Sequence, residues 1–206
     1  MEFIAAFAQY PWLSALFFSV CVLTAFVVYK AYKASQKSGK ARRELLENLK
    51  RENKLKAQYG QLTQEKLEKA PAEDLLAGLA LNLQDELEKA EAPEELYAKL
   101  PKVKRHIYAF YFLLEDSKEK LSRFFQISGP PLTVDAQEAV ELILGGKAEE
   151  LYKYECQAYD SDNEEVSFMK EEIDKADKEF AAILKNVDAY QAAAQYIREN
   201  AAVFLK

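Results

Sequence analysis

The stretch that decides how this chain is built and placed is Phe3–Tyr29, FIAAFAQYPWLSALFFSVCVLTAFVVY. Its 27 residues include no charged side chain. As a helix it would reach about 40 Å at ~1.5 Å per residue. The hydrocarbon core of a bilayer needs only about 20 apolar residues. Tyr10 and Trp12 sit near one end and Tyr29 and Tyr32 near the other, where amphipathic rings favour the headgroup level. Pro11 suits the first turn of a helix, which does not need its missing N–H. The reading is one transmembrane helix over Trp12–Tyr29, with Phe3–Tyr10 as its lead-in. A cleaved signal peptide fits less well, because it wants a positive start and the only early charge is Glu2. A buried core helix also fits less well, because the run has no polar face.

The flanks set the orientation. Lys30, Lys33, Lys37, Lys40, Arg42 and Arg43 follow the apolar run with no acid among them. Positive residues stay inside, so the C-terminal bulk is expected in the cytoplasm and the N-terminus outside. The same cluster is expected to rest on anionic headgroups, at about 1 kcal/mol for each Lys or Arg near the surface. The two cysteines, Cys21 and Cys156, form no disulfide framework, which agrees with a reducing compartment.

Beyond the anchor the composition points to an all-α protein. Glycine and proline number six each in 206 residues, and Ala, Leu, Glu, Lys and Gln dominate. Three parts are expected: an anchor over 1–29, a basic juxtamembrane helical stalk over 30–60, and a compact all-helical domain over 61–206. In the stalk, Glu47–Arg51 and Glu52–Lys56 are acid–base pairs four apart, which support an exposed helix. Its heptads are too few to specify a coiled coil.

Within the domain, Thr63 opens a short helical turn and Pro71 opens the next helix. Leu75, Leu76, Leu79, Leu83 and Leu87 give that helix one buried face, and Ala92-Pro93 is expected to end it. Val103, Ile107, Phe110, Tyr111 and Leu114 make a wide apolar stripe after Pro101, so this helix is expected at the centre of the core. A short helix over Lys118–Gln126 and a loop SGPPLTVD follow, with Thr133 or Asp135 capping the next helix and Gly145-Gly146 ending it. Glu149–Tyr159 reads as a further helix. The last two helices, reaching Leu184 and starting near Tyr190, are expected to pair as an antiparallel hairpin because their connector is short.

No motif carries chemistry. Asp160, Asp162, Glu164 and Glu171 fall at calcium-loop spacing, but Glu165 stands where a glycine is needed. His106, the single histidine, has no Ser or Cys partner assembled around it in sequence. With Asp116 and Cys156 it would be the place to look for an enzyme. Lys102, Lys104 and Arg105 are too few for nucleic-acid binding in a chain of net charge −6. No catalytic activity, cofactor, metal or direct nucleic-acid contact is expected.

Charge is unevenly spread. Residues 30–43 sum to +6, whereas Glu149–Glu179 holds twelve acids against four lysines. Around this pattern a family becomes visible. Leu62-Thr63, Leu67, Leu75-Leu76, Leu100-Pro101, Ile107-Tyr108-Ala109, Phe124-Phe125, Ser128-Gly129, Ala136 and Ala139 together resemble the DNA-mimic-protein-type family of small helical domains, over residues 61–206. The family's usual Asn-Gly-Gly-Phe before the paired aromatics reads Lys118-Glu119-Lys120-Leu121 here. The resemblance implies an acidic face that imitates the charge of DNA and occupies a basic DNA-binding regulator. The residues that would supply it are Glu149, Glu150, Glu155, Asp160, Asp162, Glu164, Glu165, Glu171, Glu172 and Asp174. Read from the residues alone, the leading expectation is broader: a membrane-anchored cytoplasmic binding protein, with the lipid bilayer and another protein as its partners.

Overall fold

The computed structural model describes Lys30, residues 42–159 and residues 170–205. Among the described residues every regular element is a helix. No described helix is long and apolar enough to cross a membrane. The span read from the sequence, Trp12–Tyr29, lies outside the described residues, as do Lys33, Lys37 and Lys40 of the basic cluster.

The chain divides into two compact units at Arg51/Glu52. Residues 42–59 are helical. In the first unit, Arg42, Arg43, Leu45, Leu46 and Leu49 are exposed. The second unit starts earlier than the boundary expected after Gly60. Its opening helix, α1 (52–59), buries Leu55 and Tyr59 in the core. The stretch is too polar to show this in its average composition, but two apolar residues one turn apart suffice to dock one side of it. Lys56 lies 3.7 Å from Asp85, a pairing with the domain that acid–base spacing within the stalk does not suggest.

Thr63 caps α2 (Gln64–Lys69), accepting from the Lys66 N–H. Helix α3 (Ala72–Glu88) follows Pro71 and buries the leucines of its periodic face. It ends at Glu88, and Pro93 then starts a helix rather than ending one. Helix α4 (Pro93–Lys99) takes the proline at its first position and Glu94 and Glu95 in its first turn, where the positive end of the helix dipole favours them. Helix α5 (Lys102–Asp116) buries Ile107, Ala109, Phe110 and Leu113 completely. It packs on α3, on the short α6 (Leu121–Ile127) and most extensively on α7 (Leu132–Ile143), so it is the central helix that the apolar stripe predicted.

The loop before α7 is shorter than expected. Thr133 and Asp135 do not cap the helix; they lie inside its first turn and are buried. The reason is local. Pro131 stands at the N-cap, and its carbonyl accepts the Asp135 N–H at 3.1 Å, so the helix begins immediately behind the prolines. At the other end Gly145 adopts φ +60 and donates to the Val140 carbonyl at 2.8 Å, ending α7 as expected.

Helix α8 (Gly146–Ala158) packs on α7 and α6, and α9 (Lys170–Asn186) packs on α8 and α6. Helix α10 (Ala189–Glu199), capped by Asp188, packs on α3, α7 and α5. The hairpin expected of the last two helices is therefore not their main packing. Their connector is short, but each helix turns its apolar stripe to different neighbours. A 3₁₀ turn (Ala201–Val203) and buried Phe204 dock the C-terminal segment.

Candidate functional site

A cleft of about 390 Å³ opens between α3, α4, α5 and the start of α7. Its walls are Leu87, Pro93, Tyr97, Tyr108, Pro131 and Leu132, with Gln84, Glu88 and Glu94 at the rim. Helical spacing explains the set. Gln84, Leu87 and Glu88 fall on one face of α3, and Pro93 and Tyr97 are one turn apart on α4. The Tyr97 and Tyr108 rings meet edge to face at 5.8 Å, and Tyr108 lies 4.8 Å from Phe112.

The floor of the cleft is fixed from behind. The Tyr97 hydroxyl donates to Asp135 Oδ2 at 2.7 Å, and the Arg105 guanidinium stands 3.7 Å from Asp135 Oδ1. Asp135 is 3% exposed, so the bond is buried and charge-assisted. Burial, and then the bond to Asp135, push the Tyr97 hydroxyl far above its ordinary range. Burial, and then Glu88, push Tyr108 up as well. Both rings are neutral at any ordinary pH. Tyr97 spends its hydroxyl inside the protein, whereas the Tyr108 hydroxyl has no hydrogen-bond partner among the described residues.

The rim is acidic. Residues 84–95, QDELEKAEAPEE, hold six acids and one lysine. That lysine, Lys89, pairs with Asp85, and Lys99 pairs with Glu95. No ion pair among the described residues involves Glu88, Glu91 or Glu94.

A second cavity of about 400 Å³ is lined by Tyr59, Leu62, Leu79, Leu83 and Phe204 with Asn82, Glu86 and Lys104. Its central amide is already committed, since Asn82 donates to the carbonyls of Lys56 and Gly78.

Of the residues singled out for an enzyme, His106 and Asp116 lie on α5 and Cys156 on α8. His106 is 3% exposed and joins two partners: Nδ1 is 2.9 Å from the Tyr196 hydroxyl and Nε2 is 3.0 Å from Glu138 Oε2. This carboxylate–imidazole–phenol chain resembles a relay in outline. Burial pushes the Tyr196 hydroxyl up, with Glu138 adding to it, which opposes activation of that oxygen. Glu138 is held below the usual carboxylate range by Lys102 first and His106 next. Neither cleft is lined by His106, Tyr196 or Glu138. Asp116 lies ten residues from His106 on the same helix, roughly 15 Å along its axis. Cys156 lies on α8. The group acts as a clasp between α5, α7 and α10. Among the described residues no cluster of His, Cys, Asp and Glu is arranged to hold a metal ion.

The acidic face is partly overturned. Glu155 is 0% exposed and belongs to the interior, not to a surface. Leu151, Glu155 and Ala158 share the buried stripe of α8, so the helix carries the carboxyl inward. Neither Glu155 oxygen has a hydrogen-bond partner among the described residues. Burial, and then Asp177, push its carboxyl up to about 8, against a partial opposing pull from Lys120. Asp177, also buried on α9, is satisfied: it accepts from the Ser122 N–H and hydroxyl, both at 2.8 Å. Of the remaining expected residues, Glu149 pairs with Lys153, Glu150 with Lys147, and Asp174 with Lys120. Glu171 and Glu172 are exposed. Asp160, Asp162, Glu164 and Glu165 lie outside the described residues.

Tyr97, Glu138 and Asp177 were not singled out in the sequence, and Asp135 was read only as a helix cap. Asp177 had a signal: with Ile173, Ala176 and Phe180 it falls on the apolar stripe of α9. No protein-family model, curated protein or solved structure matches the chain, so the geometry carries the functional reading.

Proposed function

We propose that this chain is a single-pass membrane protein whose helical domain docks another protein on the cytoplasmic side, without catalysis. The observation that carries the docking is the tyrosine-walled cleft of α3, α4, α5 and α7. It is open and mainly apolar, and it rests on a locked Tyr97–Asp135 floor. A preformed concavity of this kind loses little conformational entropy when occupied. Placement at the membrane is supported by the uncharged run Phe3–Tyr29 and the six basic residues behind it. Absence of catalysis is supported by the raised Tyr196 hydroxyl and by the roughly 15 Å of helix between His106 and Asp116.

The narrower DNA-mimic reading draws on the resemblance over residues 61–206. Three of the acids it would use are neutralised by lysines and a fourth is buried, so the described surface presents less free charge than the sequence suggests. The broader reading is therefore favoured.

The test is a photo-crosslinking residue placed at Leu132 in the full chain, in its native membranes. A discrete adduct with another protein, absent from a control position at exposed Gln195, is expected. No adduct above that control overturns the docking reading.

A further inference from the structure

We propose that the cleft between α3, α4, α5 and α7 takes a protein segment that carries a bulky apolar anchor flanked by Lys or Arg. This rests on the docking reading above and names the chemistry of its partner.

The apolar part follows from the walls. Leu87, Leu132, Pro93 and Pro131 offer no hydrogen bonds from their side chains, and Tyr97 turns its hydroxyl inward to Asp135. A charged or strongly polar anchor would be stripped of water there with nothing to replace it. A Leu, Ile, Met or Phe side chain gains by leaving water. A volume of about 390 Å³ is small for a whole protein surface and suits one or two inserted side chains. One polar group remains on offer: Tyr108 lines the cleft, and its hydroxyl, without a partner among the described residues, is available to donate to a main-chain carbonyl of the segment.

The basic flanks follow from the rim. Glu88 and Glu94 border the opening, and Glu91 lies in the connection between them. All three are exposed, and no ion pair among the described residues involves them. The nearby lysines are committed to Asp85 and Glu95. The rim therefore keeps a net negative charge, which repels an acidic segment and nucleic acid and attracts a basic one.

Binding to the full chain in detergent micelles tests this by fluorescence anisotropy. The probe is a short labelled peptide with Leu and Phe at its centre and Lys and Arg on both sides. One companion has the flanks changed to Glu, and another has the central pair changed to Ala. The basic peptide is expected to bind about tenfold more tightly than the acidic one, an advantage that shrinks as salt is raised. The Ala companion is expected to lose binding. Glu88→Gln with Glu94→Gln should remove the preference for basic flanks while binding of the apolar centre persists, and Leu132→Asp should abolish binding. Equal binding of the basic and acidic peptides, or binding unchanged by Leu132→Asp, overturns the proposal. A Leu132 crosslink joining two copies of this chain overturns it in favour of self-association. If the Leu132 crosslink to another protein forms but the basic peptide does not bind, the partner chemistry is wrong and docking stands. If neither occurs, both fall.

Discussion

Glu155→Gln should make the domain more stable at neutral and alkaline pH. Glu155 is fully enclosed, with neither oxygen hydrogen-bonded among the described residues, and Asp177 lies among the charges that disfavour its ionisation. Its carboxyl is pushed from the ordinary 4.5 up to about 8, so the folded protein keeps the proton where the unfolded chain has released it. Below about 4.5 both states are protonated and Glu155 contributes no pH dependence. As pH rises from 4.5 to 8 the unfolded state is increasingly favoured, and above 8 the loss is complete. At pH 7 the gap from 4.5, at about 1.36 kcal/mol per pH unit, gives roughly 3 kcal/mol. Glutamine keeps the shape of the protonated acid and does not titrate. Every other titrating group is shared, so the difference between the two proteins isolates this carboxyl. Urea unfolding of the full chain in detergent, followed by helical circular dichroism, should give nearly equal stabilities at pH 4.5. The variant should lead by roughly 3 kcal/mol at pH 7. Parallel pH profiles, or a wild-type protein more stable at pH 7, would refute the enclosed, protonated Glu155.

Further substitutions probe the packing. Asp177→Ala removes both acceptors of Ser122 at the start of α6 and should cost about 1–2 kcal/mol in the same assay; Asp177→Asn should also lower the pH at which Glu155 ionises. Gly78→Ala would set a Cβ 2.3 Å from the Tyr59 ring and should destabilise by about 1–3 kcal/mol, with Tyr59→Leu in the double variant recovering part of the loss. Tyr196→Phe removes one bond of the His106 clasp and should cost about 1 kcal/mol without altering peptide binding at the cleft.

The helices were legible because their signals are local. The leucine face of α3 and the aromatic stripe of α5 follow from spacing within one segment, and both proved buried. The proline signals were legible only in part. A proline breaks one helix and opens the next with equal ease, so Pro93 read as an end when it is a beginning. The hairpin of α9 and α10 failed for a different reason. Connector length limits where the second helix starts, but the apolar stripes decide what each helix packs against, and those partners lie far away in sequence. The cleft needs four segments brought together, from Leu87 to Leu132, and no single window displays it. The acidic face was misread at Glu155 because a charge count treats every carboxylate as a surface group. The period of three and four that places Leu151 and Ala158 inside places Glu155 with them.

Protease protection on sealed cells tests the placement on which the docking role depends. The full chain is expected to stay in the membrane fraction after an alkaline wash, and a protease added outside is expected to leave residues 52–206 intact. Recovery of the chain in the soluble fraction, or digestion of that domain from outside, would contradict it.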